Sequence, residues 1–320
     1  MAQIILIGIG AGVAAALLFA SLASGSLFAV LLFYLSPLPI LIAGIGWSHW
    51  AGLIAGLCAA VCLAIVFGLF FSLGFLFSVG LAAWWLGYLA LLARPTASAT
   101  PADLEWYPVG RLVLWAAVIG TLSVVASIPY FGTDAESFHA NLRAVIEAAL
   151  GLGQGGSGVD PSQRRIIIDP DVLATLAPPM VASLTTVVLV VNLWLAGRIV
   201  KLSGQLRRPW PELPAITFPP LAPAFLAVAV AGIFLPGIPG IISDILAATL
   251  MMAYALLGLA VLHVVTRELN SRAFVLTGVY AAIIVFGWPA LILTVLGLAD
   301  TALNLRRRAA QKRRPPTFRP

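Results

Sequence analysis

The sequence predicts an all-α fold, a polytopic bundle of about nine or ten membrane-spanning helices. Hydrophobic residues make up 61% of the 320 residues and charged residues only 9%, whereas about a quarter of the residues of a soluble domain are charged. No Asp, Glu, Lys or Arg precedes Arg94. A transmembrane helix needs about 20 apolar residues, and the chain holds enough of them for that number of spans. Soluble domains, coiled coils and disordered chains are excluded.

Turn signals divide the apolar sequence into ten segments. Each segment is expected to be helical, because the hydrocarbon core offers the backbone no hydrogen-bond partner outside its own helix. The runs are continuous rather than alternating, which argues against a transmembrane β-barrel. The predicted segments are 3–24, 27–46, 50–70, 73–93, 110–130, 179–200, 219–236, 241–265, 273–286 and 288–304.

The distribution of Lys and Arg predicts the orientation. Segment 131–178 holds only three of the 18 basic residues, together with six of the 12 acidic ones. Cytoplasmic loops carry an excess of Lys and Arg. We therefore expect 131–178 outside, and the loop 201–218 and the tail 305–320 inside, in the inner (cytoplasmic) membrane of a bacterium. Both termini would then be cytoplasmic.

This topology divides the chain into four parts. Residues 1–130 form an N-terminal bundle of five spans, and 131–178 form an extracytoplasmic loop with an amphipathic helix. Residues 179–304 form a C-terminal bundle that includes the proline-rich cytoplasmic loop 201–218. Residues 305–320 form a basic cytoplasmic tail.

Segment 273–304 has two interpretations. The basic residues Arg267 and Arg272 precede it and the basic tail follows it, so an even number of crossings, a hairpin turning at Gly287-Trp288-Pro289, is favoured. The first arm would be only about 21 Å long at ~1.5 Å per residue, against a hydrocarbon core of ~30 Å. The alternative is one long helix kinked at Pro289, with the tail outside.

An amphipathic helix is predicted over about 134–150 in the outer loop. Thr133 and Glu136 fit a capping box, and apolar residues recur at helical spacing from Phe138 to Ala149. This helix is either a surface cover over the ends of the spans or a gate over a ligand pocket.

Prolines predict where the neighbouring helices start and stop. Asp169-Pro170 is typical of a helix N-cap followed by an N1 proline, and Pro178-Pro179 should break or restart the helix there. Six prolines in 209–223 exclude a regular helix and predict an extended strap, which is either a stiff linker or a partner-binding segment. A flexible link is expected at 153–158.

No catalytic signature is present, so we expect no enzyme, no cofactor and no metal site. The sequence lacks a nucleophile elbow, a zinc-protease helix and a phosphate-binding loop. Cys58 and Cys62 lie four apart within an apolar run and are interpreted as packing residues. The basic tail lacks interleaved aromatic residues, so we expect it to anchor the topology at the lipid bilayer and expect no nucleic-acid partner.

Polar residues inside spans are candidate ligand-binding residues, because burying them in hydrocarbon is costly. Asp300 has the structural alternatives of pairing with His263 or with an arginine at 306 or 307, and Asp244 that of capping its helix with Ser243. The candidates are Asn192, Asp244, His263 and Asp300.

Small residues at four-residue spacing allow helix backbones to approach closely. They either pack the helices of one bundle or form a docking face for another membrane subunit, and the spacing does not separate these alternatives. The pairs are Gly8 and Gly12, Ala11 and Ala15, and Gly52 and Gly56.

Several short motifs along the chain resemble those of a known family, the YybS-like family of predicted bacterial polytopic membrane proteins. That family is distantly similar to the substrate-binding S-components of energy-coupling-factor transporters, and the resemblance implies that Ala11 and Ala15 would dock a coupling subunit. The motifs are Ser36-Pro37-Leu38-Pro39, Gly46, Gly52, Leu213-Pro214, Gly258 within 254–263, Leu296-Gly297-Leu298-Ala299-Asp300 and Asn304-Leu305-Arg306.

Two functions are therefore expected as alternatives. The first is a small-molecule-binding or transport subunit that resembles an S-component, whose ligand is apolar or neutral because few charges lie in the membrane. The second is a non-enzymatic scaffold or assembly factor that acts through helix packing, the proline strap and the basic tail.

Overall fold

The structure, a computed structural model, describes residues 1–95, 104–151, 169–211 and 216–306. The expected link 153–158 and the tail beyond Arg306 lie outside the described residues. Two short antiparallel strands, β1 (Ala93–Pro95) and β2 (Leu104–Trp106), pair with each other.

The described residues otherwise fold into helices, numbered here in chain order. They are α1 Ala2–Ala20, α2 Leu27–Tyr34, α3 Pro37–Gly46, α4 His49–Phe67, α5 Leu69–Phe75, α6 Leu81–Ala90, α7 Val109–Val125, α8 Ile128–Phe131, α9 Ala135–Ala149, α10 Pro170–Leu202, α11 Ala222–Gly232, α12 Ile238–Val265, α13 Arg272–Phe286 and α14 Pro289–Leu303. One turn of π-helix, Leu76–Gly80, joins α5 to α6.

The prediction of an all-α membrane bundle is confirmed. Seven helical stretches of the described residues are long and apolar enough to cross a membrane, and α11, α13 and α14 are shorter apolar helices. These ten stretches follow the ten predicted segments in order. The prediction for 219–236 was too long, because Pro219 and Pro220 delay the start of α11 and Gly237, with φ at 76°, separates it from α12.

Small residues pack the N-terminal bundle. Gly8 and Gly12 of α1 lie directly against α4, and a Cβ built on Gly12 would stand 2.6 Å from the carbonyl oxygen of Ala55. Ala15, Ala55 and other alanines are fully buried in the same core. The helix backbones approach closely because these positions carry almost no side chain.

The C-terminal bundle is built around α12. Gly258 of α12 and Gly297 of α14 press into each other's helix, against the carbonyl oxygens of Leu293 and Tyr254, and Thr294 donates a hydrogen bond to the carbonyl of Met251. Gly258 and Gly297 lie opposite each other. Gly258 contacts the carbonyl of Leu293, which lies four residues before Gly297, and Gly297 contacts the carbonyl of Tyr254, which lies four residues before Gly258. This relation fits two helices that run in the same direction, which requires α13 to carry the chain back between them. The contacts therefore support the hairpin over the kinked helix.

Helix α10 lies between the two bundles and packs against α3, α7 and α12. It begins as predicted, with Asp169 capping the backbone N–H of Asp171 ahead of Pro170. The predicted break at Pro178-Pro179 was wrong, because α10 continues through both prolines. Within a bundle, neighbouring helices can accommodate the carbonyls that proline leaves without a donor.

The amphipathic helix of the outer loop is α9, as predicted, but the expected cap was wrong by one residue. Asp134, rather than Thr133, accepts the backbone N–H of Ser137 at 2.9 Å, and Ser137 takes the place expected for Glu136. An aspartate is as good an N-cap as a threonine or better, and Asp134 keeps the extended backbone of an N-cap directly before the first helical residue, Ala135.

Candidate functional site

Three irregular helical segments line one cavity of about 390 Å³. The first is the break between α2 and α3 at Ser36-Pro37, the second is the π-turn at Ser78-Val79, and the third is Pro178 inside α10. Helices α7 and α9 complete the wall. Irregular backbone at membrane depth is tolerated where it is buried in protein or lines a cavity, and π-turns are frequent at functional sites.

The break at Ser36 frees backbone carbonyls, and α10 supplies a partner for one of them. Pro37 has no N–H to donate, so the Phe33 carbonyl accepts instead from the N–H of Ser36 at 3.1 Å. The Tyr34 carbonyl accepts from the side-chain Nδ2 of Asn192 at 2.9 Å. The same amide nitrogen also donates to Val188 of its own helix. Asn192 therefore connects the broken helix to α10 directly beside the cavity.

Hydroxyl groups supply the polar character of the cavity wall. Ser36 is 1% exposed, and its Oγ makes no hydrogen bond to the other residues that the structure describes. Ser78, Ser123, Ser127 and Thr185 each donate to the carbonyl of a residue three or four positions earlier in the chain, which leaves their oxygen lone pairs as acceptors. Within the described chain, the lining includes no Asp, Glu, His, Cys, Lys or Arg.

Helix α9 covers one end of the cavity. Phe138 and Leu142 reach into the lining, and Phe138 is 1% exposed. Arg143 ties α9 to α10 through Asp171 at 2.7 Å and also pairs with Glu147 at 2.8 Å. The hydrogen bond to Glu147 and the charge of Asp171 raise the pKa of Arg143. The backbone and side-chain hydrogen bonds from Ser137 lower the pKa of Asp134 at the helix start.

The structure does not bring the four predicted ligand-binding residues together, and none of them lines the cavity. Asn192 lies one turn away from the lining. Asp300 pairs with Arg306, with 2.7 Å between Oδ2 and Nη2, rather than with His263. His263 instead contacts the carbonyl of Leu259 in its own helix and packs against Tyr280. A role in ligand binding stays a prediction for all four.

Asp244 does not cap its helix. Helix α12 begins at Ile238, six residues before Asp244, and Ser243 packs against the backbone of α11 at Gly232. The sequence interpretation placed the helix start too late, because Pro239 was not recognised as a residue of the first turn.

The predicted small-residue positions lie in contacts within the chain. Gly8 and Gly12 contact α4, Gly52 lies against Gly44 of α3, and Gly56 lies against Gly80. Ala15 is fully buried, and Ala11 is packed at the edge of the same core. The described contacts use these faces for internal packing, and docking of another subunit stays a prediction.

Sequence reasoning missed the cavity itself. Its residues come from six helices and share no spacing in the sequence. The available signals were the prolines at 37 and 178, together with serines in otherwise apolar spans. Pro178 was interpreted as a helix break and Pro37 only as part of a family motif within a continuous span, and the isolated serines were given no role.

The chain was compared with sequence families, curated proteins and solved structures. The family described as "Predicted membrane protein (DUF2232)" matches residues 13–301. No curated protein and no solved structure matches the chain.

Proposed function

We propose that this chain, which belongs to the DUF2232 family of predicted membrane proteins, is a membrane subunit that binds a small neutral molecule. The observation that carries the proposal is the cavity at which the broken span α2–α3, the π-turn and Pro178 of α10 converge. Discontinuous helices within a bundle form the substrate sites of many membrane transporters. Binding without chemistry is proposed, since the described lining offers neither an acid–base pair nor a metal ligand set.

The lining favours a neutral, largely apolar ligand with one or two polar groups. A charged ligand would have to leave water without a counter-ion, which is costly in this environment. A hydroxyl, carbonyl or amide group could exchange hydrogen bonds with Ser36 and with the oxygens of the other lining hydroxyls. The volume of about 390 Å³ lies at the lower end of the range for small-molecule pockets.

We also propose the inner membrane of a bacterium as the location, with α9 on the extracytoplasmic side. The support is the separation of charge along the bundle. Arg207 and Arg208 reach the ends of α3 and α6 at one end, and Asp134, Glu147 and Asp171 lie around α9 at the other. Basic residues favour the cytoplasmic side.

The test is to identify molecules that the purified protein retains. The full chain is extracted in a neutral detergent, washed, and its bound small molecules are released with organic solvent and identified by mass spectrometry. The Ser123→Phe variant should fill the cavity and lose the retained molecule. Leu122→Phe is the matched control, because Leu122 is the neighbouring residue on α7 and is 57% exposed.

Retention of the same molecules by wild type, Ser123→Phe and Leu122→Phe would contradict the proposal, as would retention by none of them after mild extraction. Size-exclusion profiles and melting temperatures of the three proteins show that each is folded. Ser123 is half-buried and bonds only to its own helix, so the larger ring should occupy the cavity without breaking a contact between helices.

The finer role of a transport subunit rests on the resemblance to S-components. It requires a second membrane or coupling subunit, and co-purification of an ATPase with the tagged chain would support it. The internal packing of the small-residue faces weakens both the docking of a coupling subunit at Ala11 and Ala15 and the helix-packing surface of the scaffold alternative. The cavity favours the ligand-binding subunit over the scaffold.

A further inference from the structure

A second site lies away from the cavity, where α10 ends on the side opposite α9. Gly197 and Arg198 lie three and four residues after Trp194 and four and three residues before Lys201, so these residues share one face of α10. This face comes at the end of the span, where Trp residues typically mark the membrane–water boundary. Trp194 is 56% exposed.

Trp210 returns from the following loop and lies on this face. A Cβ built on Gly197 would stand 3.5 Å from Cζ3 of the Trp210 ring, so the edge of the indole lies against α10 where the helix has no side chain. The Cζ of Arg198 lies 5.4 Å and the Nζ of Lys201 lies 5.1 Å from the centroid of the ring. The indole therefore contacts two cationic groups that lie three residues apart on α10.

No carboxylate of the described residues neutralises these two cations. The ion pairs among residues 1–95, 104–151, 169–211 and 216–306 involve neither Arg198 nor Lys201. The neighbouring Arg207 and Arg208 have a different function, since they donate to the carbonyls of Trp47 and Ala90 at the ends of α3 and α6. Among the described residues, the contacts of the Arg198 and Lys201 charges are therefore those with the tryptophan rings.

We propose that Arg198, Lys201, Trp194 and Trp210 form a binding site for the phosphate headgroup of an anionic phospholipid. Basic pockets beside transmembrane helices at the cytoplasmic boundary bind such headgroups. A lipid fits better than a soluble phosphate, because exposed apolar side chains continue from the site toward the membrane centre along α10. Val191 is 44% exposed and adjoins Trp194 on that path. The site is independent of the cavity and of its proposed ligand.

The test is native mass spectrometry of the full chain in a neutral detergent. Delipidated protein is titrated with phosphatidylglycerol and, separately, with phosphatidylcholine. Wild type should bind one molecule of phosphatidylglycerol more tightly than phosphatidylcholine. The double variant Arg198→Gln/Lys201→Gln should weaken that binding by about 30-fold, since the attraction of each basic residue to anionic lipid is worth about fivefold in affinity.

The matched control is Arg94→Gln/Arg267→Gln, which removes the same charge from exposed positions predicted on the same side. Its phosphatidylglycerol affinity should equal that of wild type. Equal losses of phosphatidylglycerol affinity in both double variants would show that only the net charge of the protein matters, which would contradict a specific site. Equal binding of the two lipids would also overturn it. Displacement of the lipid by an equimolar amount of inorganic phosphate would overturn the assignment to a lipid.

Discussion

At the scale of single residues, buried polar groups connect the helices. Asn192 is 2% exposed and joins α10 to the break in the second span. Asp300 and Arg306 are 5% and 6% exposed, and Arg306 also donates to the carbonyl of Ile216. Each contact compensates for a backbone or charged group that the membrane interior cannot solvate.

Asn192→Leu should destabilise the protein by about 1 kcal/mol, because the Tyr34 carbonyl would lose its donor and hydrogen bonds between membrane helices contribute roughly that much. Val191→Leu, on the exposed face of the same turn, should have almost no effect. Unfolding in detergent titrated with SDS measures both. Equal stability of the two variants would show that the Tyr34 carbonyl finds another partner.

Asp300→Ala should cost about 3 kcal/mol or more, since it leaves the Arg306 charge buried without its carboxylate. Glu105→Ala breaks the ion pair between Arg94 and Glu105, whose side chains are 77% and 51% exposed, respectively. This change should lower the free energy of unfolding by less than about 1 kcal/mol. The same unfolding measurement compares the two losses. Similar losses would mean that burial of the Asp300 pair does not determine its contribution.

At the scale of elements, the backbone contacts of glycine set how helices pair. Gly258→Ala should destabilise by about 1–3 kcal/mol, because its methyl group would overlap the Leu293 carbonyl and force α12 and α14 apart. Gly278→Ala is the control, since Gly278 lies within α13 with open space beside it, and alanine there should be neutral or slightly stabilising. Thermal unfolding followed by circular dichroism distinguishes them.

Helix α9 should depend on the ionisation of Asp134. The pKa of this group is lowered from 3.8 by its hydrogen bonds with Ser137, so the cap stabilises α9 above that pH and is lost as the pH falls through the lowered pKa. Hydrogen–deuterium exchange of the α9 amides should be faster in Asp134→Ala than in wild type near neutral pH. Well below pH 3.8 the two should converge. A difference that does not change with pH would exclude the charge as the cause.

The sequence predicts the positions of the helices better than the contacts between them. Charge-free runs identify the spans because length and hydropathy are local properties, and the hairpin follows from the arginines at either end of 273–304. Two proline effects were misjudged. Pro178-Pro179 continues a helix because surrounding helices support it, and Pro239 begins one earlier than expected. The cavity needs the relative placement of Ser36, Ser123 and Pro178, which no local pattern contains.

At the scale of the whole molecule, the path of the last two helices predicts the side of the membrane on which the C-terminal tail lies. A hairpin of α13 and α14 returns the chain to the side of Arg267 and Arg272, so a reporter fused after Pro320 should lie in the cytoplasm. Alkaline phosphatase fused there should be inactive, and green fluorescent protein should fluoresce. A phosphatase fusion that is active after Pro320 would require the kinked helix and an outer tail.

The length of α10 has a consequence for access to the cavity. Its 33 residues extend about 50 Å at ~1.5 Å per residue, and the hydrocarbon core covers only ~30 Å of that. Counted back from Trp194 at the membrane–water boundary, a core of ~30 Å reaches about residue 174, so the residues from Ala177 to Leu189 that face the cavity lie within the hydrocarbon core, near the end that α9 covers. In the proposed orientation, a solute from the external water would therefore have to pass α9 before it reached the cavity.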